Sequence, residues 1–183
     1  MAGMAERGGG GRWSGWRIGG WGFAALLLLA PLVAMQFTRE VNWTGFDFLF
    51  AAVLIGGVGL LLELVARMTS NFAYRAGVGI ALAAAFLLIW VNGAVGLIGS
   101  EHDPYNFLFL GVIGVAVLGA VIASFQSAGM ALAMLAAAVA QACIGLGGLS
   151  ADPRGAVFST AFGGLWLLSA VLFRKAAREQ PAR

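Results

Sequence analysis

Six apolar stretches, each about long enough to cross a bilayer, leave this chain almost no sequence for a water-soluble domain. They are Ile18–Phe37, Phe46–Ala66, Ala76–Ile98, Phe107–Phe125, Met130–Leu149 and Ala156–Phe173. A spanning helix needs about 20 mainly apolar residues. The stretch from Phe107 to Leu149 must be two spans, because one helix of that length would reach roughly 65 Å at 1.5 Å per residue. Gln126, Ser127 and Gly129 mark the break, within Ser124–Gly129. The runs lack the polar/apolar alternation of a lumen-lined barrel strand. Of the 183 residues 61% are hydrophobic and 10% charged, whereas a soluble domain carries about 25% charged residues. The expected fold is therefore an all-α membrane protein, a six-helix bundle.

Charge gives the expected orientation. One side of the six spans holds Arg7, Arg12, Arg17, Arg67, Arg75, Arg174, Lys175, Arg178 and Arg183, and the other only Arg39 and Arg154. Basic residues collect on the cytoplasmic side, so both termini are expected there. A surface beside anionic headgroups accounts for the net charge of +3 without nucleic acid. Residues 1–15, with Gly8–Gly11, read as a flexible cytoplasmic tail, residues 16–175 as the transmembrane domain and 176–183 as a second tail. Arg17 and the run Ile18–Ala34 have some character of a signal peptide, with Leu32-Val33-Ala34 as a poor cleavage site. The run is long for an h-region and Leu32 is bulky, so the helix is expected to stay; its removal would leave five spans.

Trp13, Trp16 and Trp21 at the inner end, with Trp43 and Tyr105 at the outer end, suit interfacial belts. Trp90 and Trp166 lie deeper and suit packing. Pro31 removes a backbone donor and is expected to bend the first helix.

The acids of the outer side read first as caps. Thr44-x-x-Asp47 has the form of a capping box. Asp103-Pro104 and Asp152-Pro153 pair an N-cap with Pro at the first helical position. Glu40 and Glu101 have no such explanation. Glu101-His102-Asp103 is the one cluster with metal-ligand chemistry, but no second His or Cys lies outside the spans to complete a tetrahedral set, so no metal is expected. The single cysteine, Cys143, lies in the fifth span and excludes an intrachain disulfide.

Three residues are candidate intramembrane polar sites: Glu63, Asn92 and Gln141. An acid within a span is a functional-site hypothesis by default, yet Arg67 follows Glu63 by four residues in the favourable order for an ion pair. Asn92 and Gln141 need partners in hydrocarbon, and interhelical hydrogen bonds are the usual answer. Ala116-x-x-x-Ala120-x-x-x-Ser124, Ala133-x-x-x-Ala137 and Gly155-x-x-x-Ser159-x-x-x-Gly163 are faces for close helix contact, with a helix of the same chain or of a partner. The chain has no Gly-x-Ser-x-Gly elbow, no His-Glu-x-x-His and no phosphate-cradling loop. No enzymatic activity and no cofactor are expected.

The stretch Pro31–Trp43 with Asp47-Phe48 resembles a group of small bacterial inner-membrane proteins without an assigned activity. Ala73-Tyr-Arg-Ala76, Trp90-Val-Asn92, Ala94-Val-Gly96, Ile98-Gly-Ser-Glu101 and Asn106 resemble the same group's second block. The similarity covers about Pro31 to Leu149, so the sixth span departs from the pattern. The resemblance implies a bacterial inner-membrane location, and it draws attention to Glu40, Asn42, Trp43, Glu101 and Asn106 as an outer-face interaction set. The function expected is an accessory or interaction subunit of a larger or homo-oligomeric membrane assembly. A small-solute or ion carrier using Glu63, Asn92 or Gln141 is the alternative.

Overall fold

A computed structural model describes residues 15–179. The expected glycine-rich N-terminal tail and Trp13 lie outside the described residues, as do the last four residues, including Arg183. Six helices follow in order: α1 Gly15–Phe37, α2 Gly45–Met68, α3 Phe72–Ala94, α4 Leu108–Ile122, α5 Ser127–Gly147 and α6 Pro153–Glu179. A short 3-10 turn, Pro104–Phe107, leads into α4. With that turn counted into the α4 segment, each of the six segments is long and apolar enough to cross a membrane. No strand occurs among the described residues. Large apolar side chains lie open along them; Phe37, Phe72 and Ile122 are 85%, 81% and 83% exposed. Water would penalise such a surface, whereas hydrocarbon does not. The chain is built as a multi-pass membrane protein.

The caps form as their local chemistry dictates. Thr44 N donates to Asp47 Oδ2 at 2.7 Å, and Asp47 N donates back to Thr44 Oγ1 at 3.4 Å. Asp103 Oδ1 accepts from Tyr105 N at 2.9 Å, and Asp152 Oδ1 accepts from Gly155 N at 2.9 Å. Pro104 and Pro153 each open the element that follows. Asn71 caps α3 in the same way, accepting from Tyr74 N at 2.7 Å. This cap starts α3 at Phe72, four residues before the expected Ala76. The stretch Thr69-Ser70-Asn71 ahead of an apolar run is the signal that marks it. At the far end α6 continues through Arg174, Lys175 and Arg178 to Glu179, where basic residues complement the helix dipole.

The chain divides into two compact units inside α2, after Gly59. In the first, α1 runs through Pro31 without interruption, and no residue of its apolar window is buried. A Cβ on Gly59 would sit 3.3 Å from the Trp21 ring. Beyond α1, Trp43 packs edge-on against Phe48, with ring centroids 5.2 Å apart.

The second unit is a helix bundle around one cluster of buried apolar side chains. Its most extensive interface joins α5 to α6, followed by α3 with α6 and α4 with α5. The order across the bundle is therefore α3, α6, α5, α4. Trp166, Phe109, Phe173, Leu88, Ile98 and Val112 are the large side chains fully enclosed. The small-residue faces pack within the chain. A Cβ on Gly119 of α4 would meet Ala133 Cβ of α5 at 2.6 Å, and Gly163 of α6 lies on Gln141 of α5 at 3.4 Å. Ser169 of α6 donates to Gly77 O of α3 at 2.8 Å, and the Phe173 ring is 3.2 Å from where Gly77 would carry a Cβ.

Between α4 and α5 the chain turns without glycine. Ser124 and Phe125 take φ of 48° and 58°, the left-handed region that costs a non-glycine residue of order 1 kcal/mol or more. Phe125 N donates back to Ala120 O at 3.0 Å, closing the helix end as a Schellman-type cap. Tyr74 Oη donates to Phe125 O at 2.8 Å, tying the turn to α3.

Candidate functional site

α3 stops at Ala94, four residues short of the apolar run that would carry it to Ile98. The cause is Asn106. Its Oδ1 accepts from Leu97 N at 3.1 Å and Ile98 N at 3.0 Å, while its Nδ2 donates to Ile98 O at 3.0 Å and Ser100 O at 2.7 Å. Two amide donors on one side and two carbonyls on the other fix which way the side-chain amide points. Asn106 is 4% exposed, and it supplies what another helical turn would have given those backbone groups. Gly96 and Gly99 make the bend possible, at φ 75° and 70°. A Cβ on Gly96 would also meet Ser100 O at 2.5 Å and Asn106 Nδ2 at 2.8 Å.

Three further contacts pin this loop to the bundle. Asn92 Nδ2 donates to the Asn106 carbonyl at 2.8 Å, from the last turn of α3. Asp152 Oδ2 accepts from Gly99 N at 3.1 Å, joining the loop to the start of α6. Tyr105 Oη donates to Ile144 O at 2.7 Å and so reaches the end of α5. Asn92 and Asn106, which the sequence offered as separate candidates, thus belong to one network. Asn92→Ala removes one interhelical hydrogen bond, and thermal unfolding in detergent is expected to register a loss of about 0.6 kcal/mol.

The Gly155 and Gly99 N–H groups hold the Asp152 carboxyl below its ordinary value of 3.8. A carboxylate with a lowered folded pKa adds stability above the ordinary value, and that stability is lost as pH falls through the folded pKa. The melting temperature is therefore expected to be flat above about pH 5 and to drop below about pH 4. Asp152→Asn is expected to make that drop shallower in a pH series of melting curves.

The other intramembrane candidates sit apart from this network in their hydrogen bonding. Gln141 is fully buried, and its Nε2 donates to Ser159 O at 3.1 Å and to Ser159 Oγ at 3.2 Å, bridging α5 to α6. Glu63 pairs with Arg67 one turn on. Asn92 and Gln141 thus bond to different elements, Asn92 to the Asn106 carbonyl and Gln141 to Ser159. Among the described residues three buried polar atoms have no hydrogen-bond partner: Asn92 Oδ1, Gln141 Oε1 and Trp166 Nε1. Gln141→Leu keeps the volume and removes one of these. It is expected to change stability by less than about 1 kcal/mol on thermal unfolding.

Of the outer-face set, Asn106 is the structural hub and Glu101 is at the exposed tip, its Oε1 3.3 Å from His102 Nδ1. Glu40 is exposed, with its backbone N–H on Thr38 Oγ1 at 3.1 Å, and Trp43 lies against Phe48. Among the described residues no group of three His, Cys, Asp or Glu side chains is placed to hold a metal ion. The role of Asn106 is hard to find by sequence because its partners lie six to nine residues back. The pair of glycines at Gly96 and Gly99 is the signal that the helix has ended.

No family model matches the chain, and neither a curated protein nor a solved structure is significantly similar to it.

Proposed function

We propose that this chain is a non-catalytic subunit of the bacterial inner membrane, with both termini in the cytoplasm, that packs against a larger membrane complex or a second copy of itself. The observation that carries this reading is how the intramembrane polar groups are engaged. Glu63, Asn92 and Gln141 each bind a different intrachain neighbour, Arg67, Asn106 O and Ser159. A carrier would aim such groups at one common path. The excess of basic residues at one end supports the orientation, and the six apolar helices support a membrane location.

A partner has apolar surface to engage on α1, whose window has no buried residue and whose Gly19, Gly20 and Gly22 have open space where a Cβ would stand. Close backbone approach at such positions is how membrane helices associate. The test is extraction in a gentle detergent followed by native mass measurement. A larger complex or a dimer is expected, and recovery only as a monomer would overturn the proposal.

The carrier remains the second reading because of Gln141 Oε1 and Trp166 Nε1, which are enclosed without a partner. It requires that reconstituted vesicles show a solute flux that Glu63→Gln or Asn92→Ala abolishes. Absence of flux in the parent protein, or equal flux in both variants, removes it.

A further inference from the structure

The basic end of the second unit distributes its charges unevenly. Arg67 is paired with Glu63. Arg75 closes the end of α2, its Nε on Thr69 O at 2.6 Å and its Nη2 on Ala66 O. Glu179 accepts from Asn71 Nδ2 at 2.9 Å and lies 3.9 Å from Lys175 Nζ. Arg174 and Arg178 are exposed, and no acid of the described residues pairs with either. They stand one turn apart on α6, a like-charge spacing that by itself costs a few tenths of a kcal/mol.

The face they occupy continues into hydrocarbon. Counting back by three and four residues from Arg178 and Arg174 reaches Val171 and Leu167, which are 63% and 47% exposed. The opposite face, with Trp166, Ala170, Phe173 and Ala176, is buried in the bundle. A helix of 27 residues is about 40 Å long, against a hydrocarbon core of about 30 Å. The last turns of α6 therefore reach the headgroup layer while its middle stays among acyl chains.

We propose that the Arg174–Arg178 end of α6 binds an anionic phospholipid, its phosphate between the two guanidinium groups and an acyl chain along Leu167 and Val171. The planar guanidinium groups suit phosphate oxygens, and the phosphate relieves the repulsion between the two arginines. The proposal rests on charge and on the shared face, and it does not depend on what the protein assembles with.

The experiment is native mass measurement of the purified full chain titrated with phosphatidylglycerol or with phosphatidylcholine of the same acyl chains. Two basic residues at the headgroup layer correspond to roughly 30-fold preference for the anionic lipid. The double variant Arg174→Gln/Arg178→Gln is expected to lower that preference to within a few fold, and Arg178→Gln alone to an intermediate value. Lys175→Gln, which removes a charge already facing Glu179, is expected to retain it. Millimolar inorganic phosphate is expected to leave the bound lipid in place. Equal retention of the two lipids overturns the proposal, as does a preference that survives the double variant. An equal loss in Lys175→Gln would mean diffuse surface charge, and displacement by inorganic phosphate would mean a simple anion site; either also overturns it.

Discussion

Asn106→Ala is expected to destabilise the helix bundle by about 3–5 kcal/mol, as measured by thermal or denaturant unfolding in detergent. The substitution leaves two backbone N–H groups and the Ile98 carbonyl of the loop after α3 without the partner they have now, while Ser100 O keeps Asp103 N. A typical hydrogen bond contributes about 1 kcal/mol net, and a buried group left unpaired costs about 1–3 kcal/mol. Leu97 and Ile98, 3% and 1% exposed, cannot recover those bonds from solvent without leaving the core. Asn106→Asp separates the two halves of the amide. It keeps an acceptor for Leu97 N and Ile98 N, but it sets a carboxylate oxygen against the carbonyls of Ile98 and Ser100. A loss comparable to that of the alanine variant is expected. Wild-type stability in Asn106→Asp would mean that the Nδ2 contacts do not contribute.

The second large effect is expected at Gly145. A Cβ there would stand 2.5 Å from Thr160 Oγ1 and 3.0 Å from the Thr160 backbone nitrogen, with Ser159 Oγ at 3.1 Å. The backbone nitrogen is part of α6 and cannot swing aside as a flexible side chain would. Gly145→Val therefore has to push α5 and α6 apart at the largest interface in the bundle. Neighbouring positions leave no slack. The Tyr105 hydroxyl would lie 2.5 Å from a Cβ on Gly147, and Ile98 Cδ1 2.7 Å from one on Gly148. Overpacking of this kind costs about 1–3 kcal/mol and more where the backbone must move. A loss near or above 3 kcal/mol is expected, with Gly164→Val as the control. Gly164 also lies on α6, but a Cβ there meets nothing within 4 Å. The control is expected to stay within about 1 kcal/mol of the parent, the scale of helix-propensity differences, which favour Val over Gly.

These two residues also mark where sequence reasoning reached its limit. Helix number and approximate bounds were readable because lipid demands long unbroken apolar runs, a constraint that acts on each segment separately. The caps at Thr44/Asp47, Asp103 and Asp152 were readable for the same reason, since donor and acceptor lie within three residues. Asn106 was singled out through a resemblance, but its task depends on a chain reversal that brings Leu97–Ser100 back to it. Gly145 carries no local signal, because the atoms that crowd it belong to Ser159 and Thr160, fourteen and fifteen residues on. The order α3, α6, α5, α4 was likewise not readable, because every helix is apolar on all sides and no polar face marks a neighbour. Gln141 was expected to act as interhelical glue, and it does bond across to α6, at Ser159. The Glu63–Arg67 pair also stands as its spacing suggested.

Six crossings with both termini inside are tested most directly by labelling single cysteines from outside intact cells. In a Cys143→Ser background, an impermeant maleimide is expected to react at positions 40, 102 and 151, in the turns before α2, before α4 and before α6. Positions 70, 126 and 178 are expected to react only after the membrane is opened. Labelling of any of the latter three in sealed cells, or protection of the first three, would contradict the topology on which the account rests.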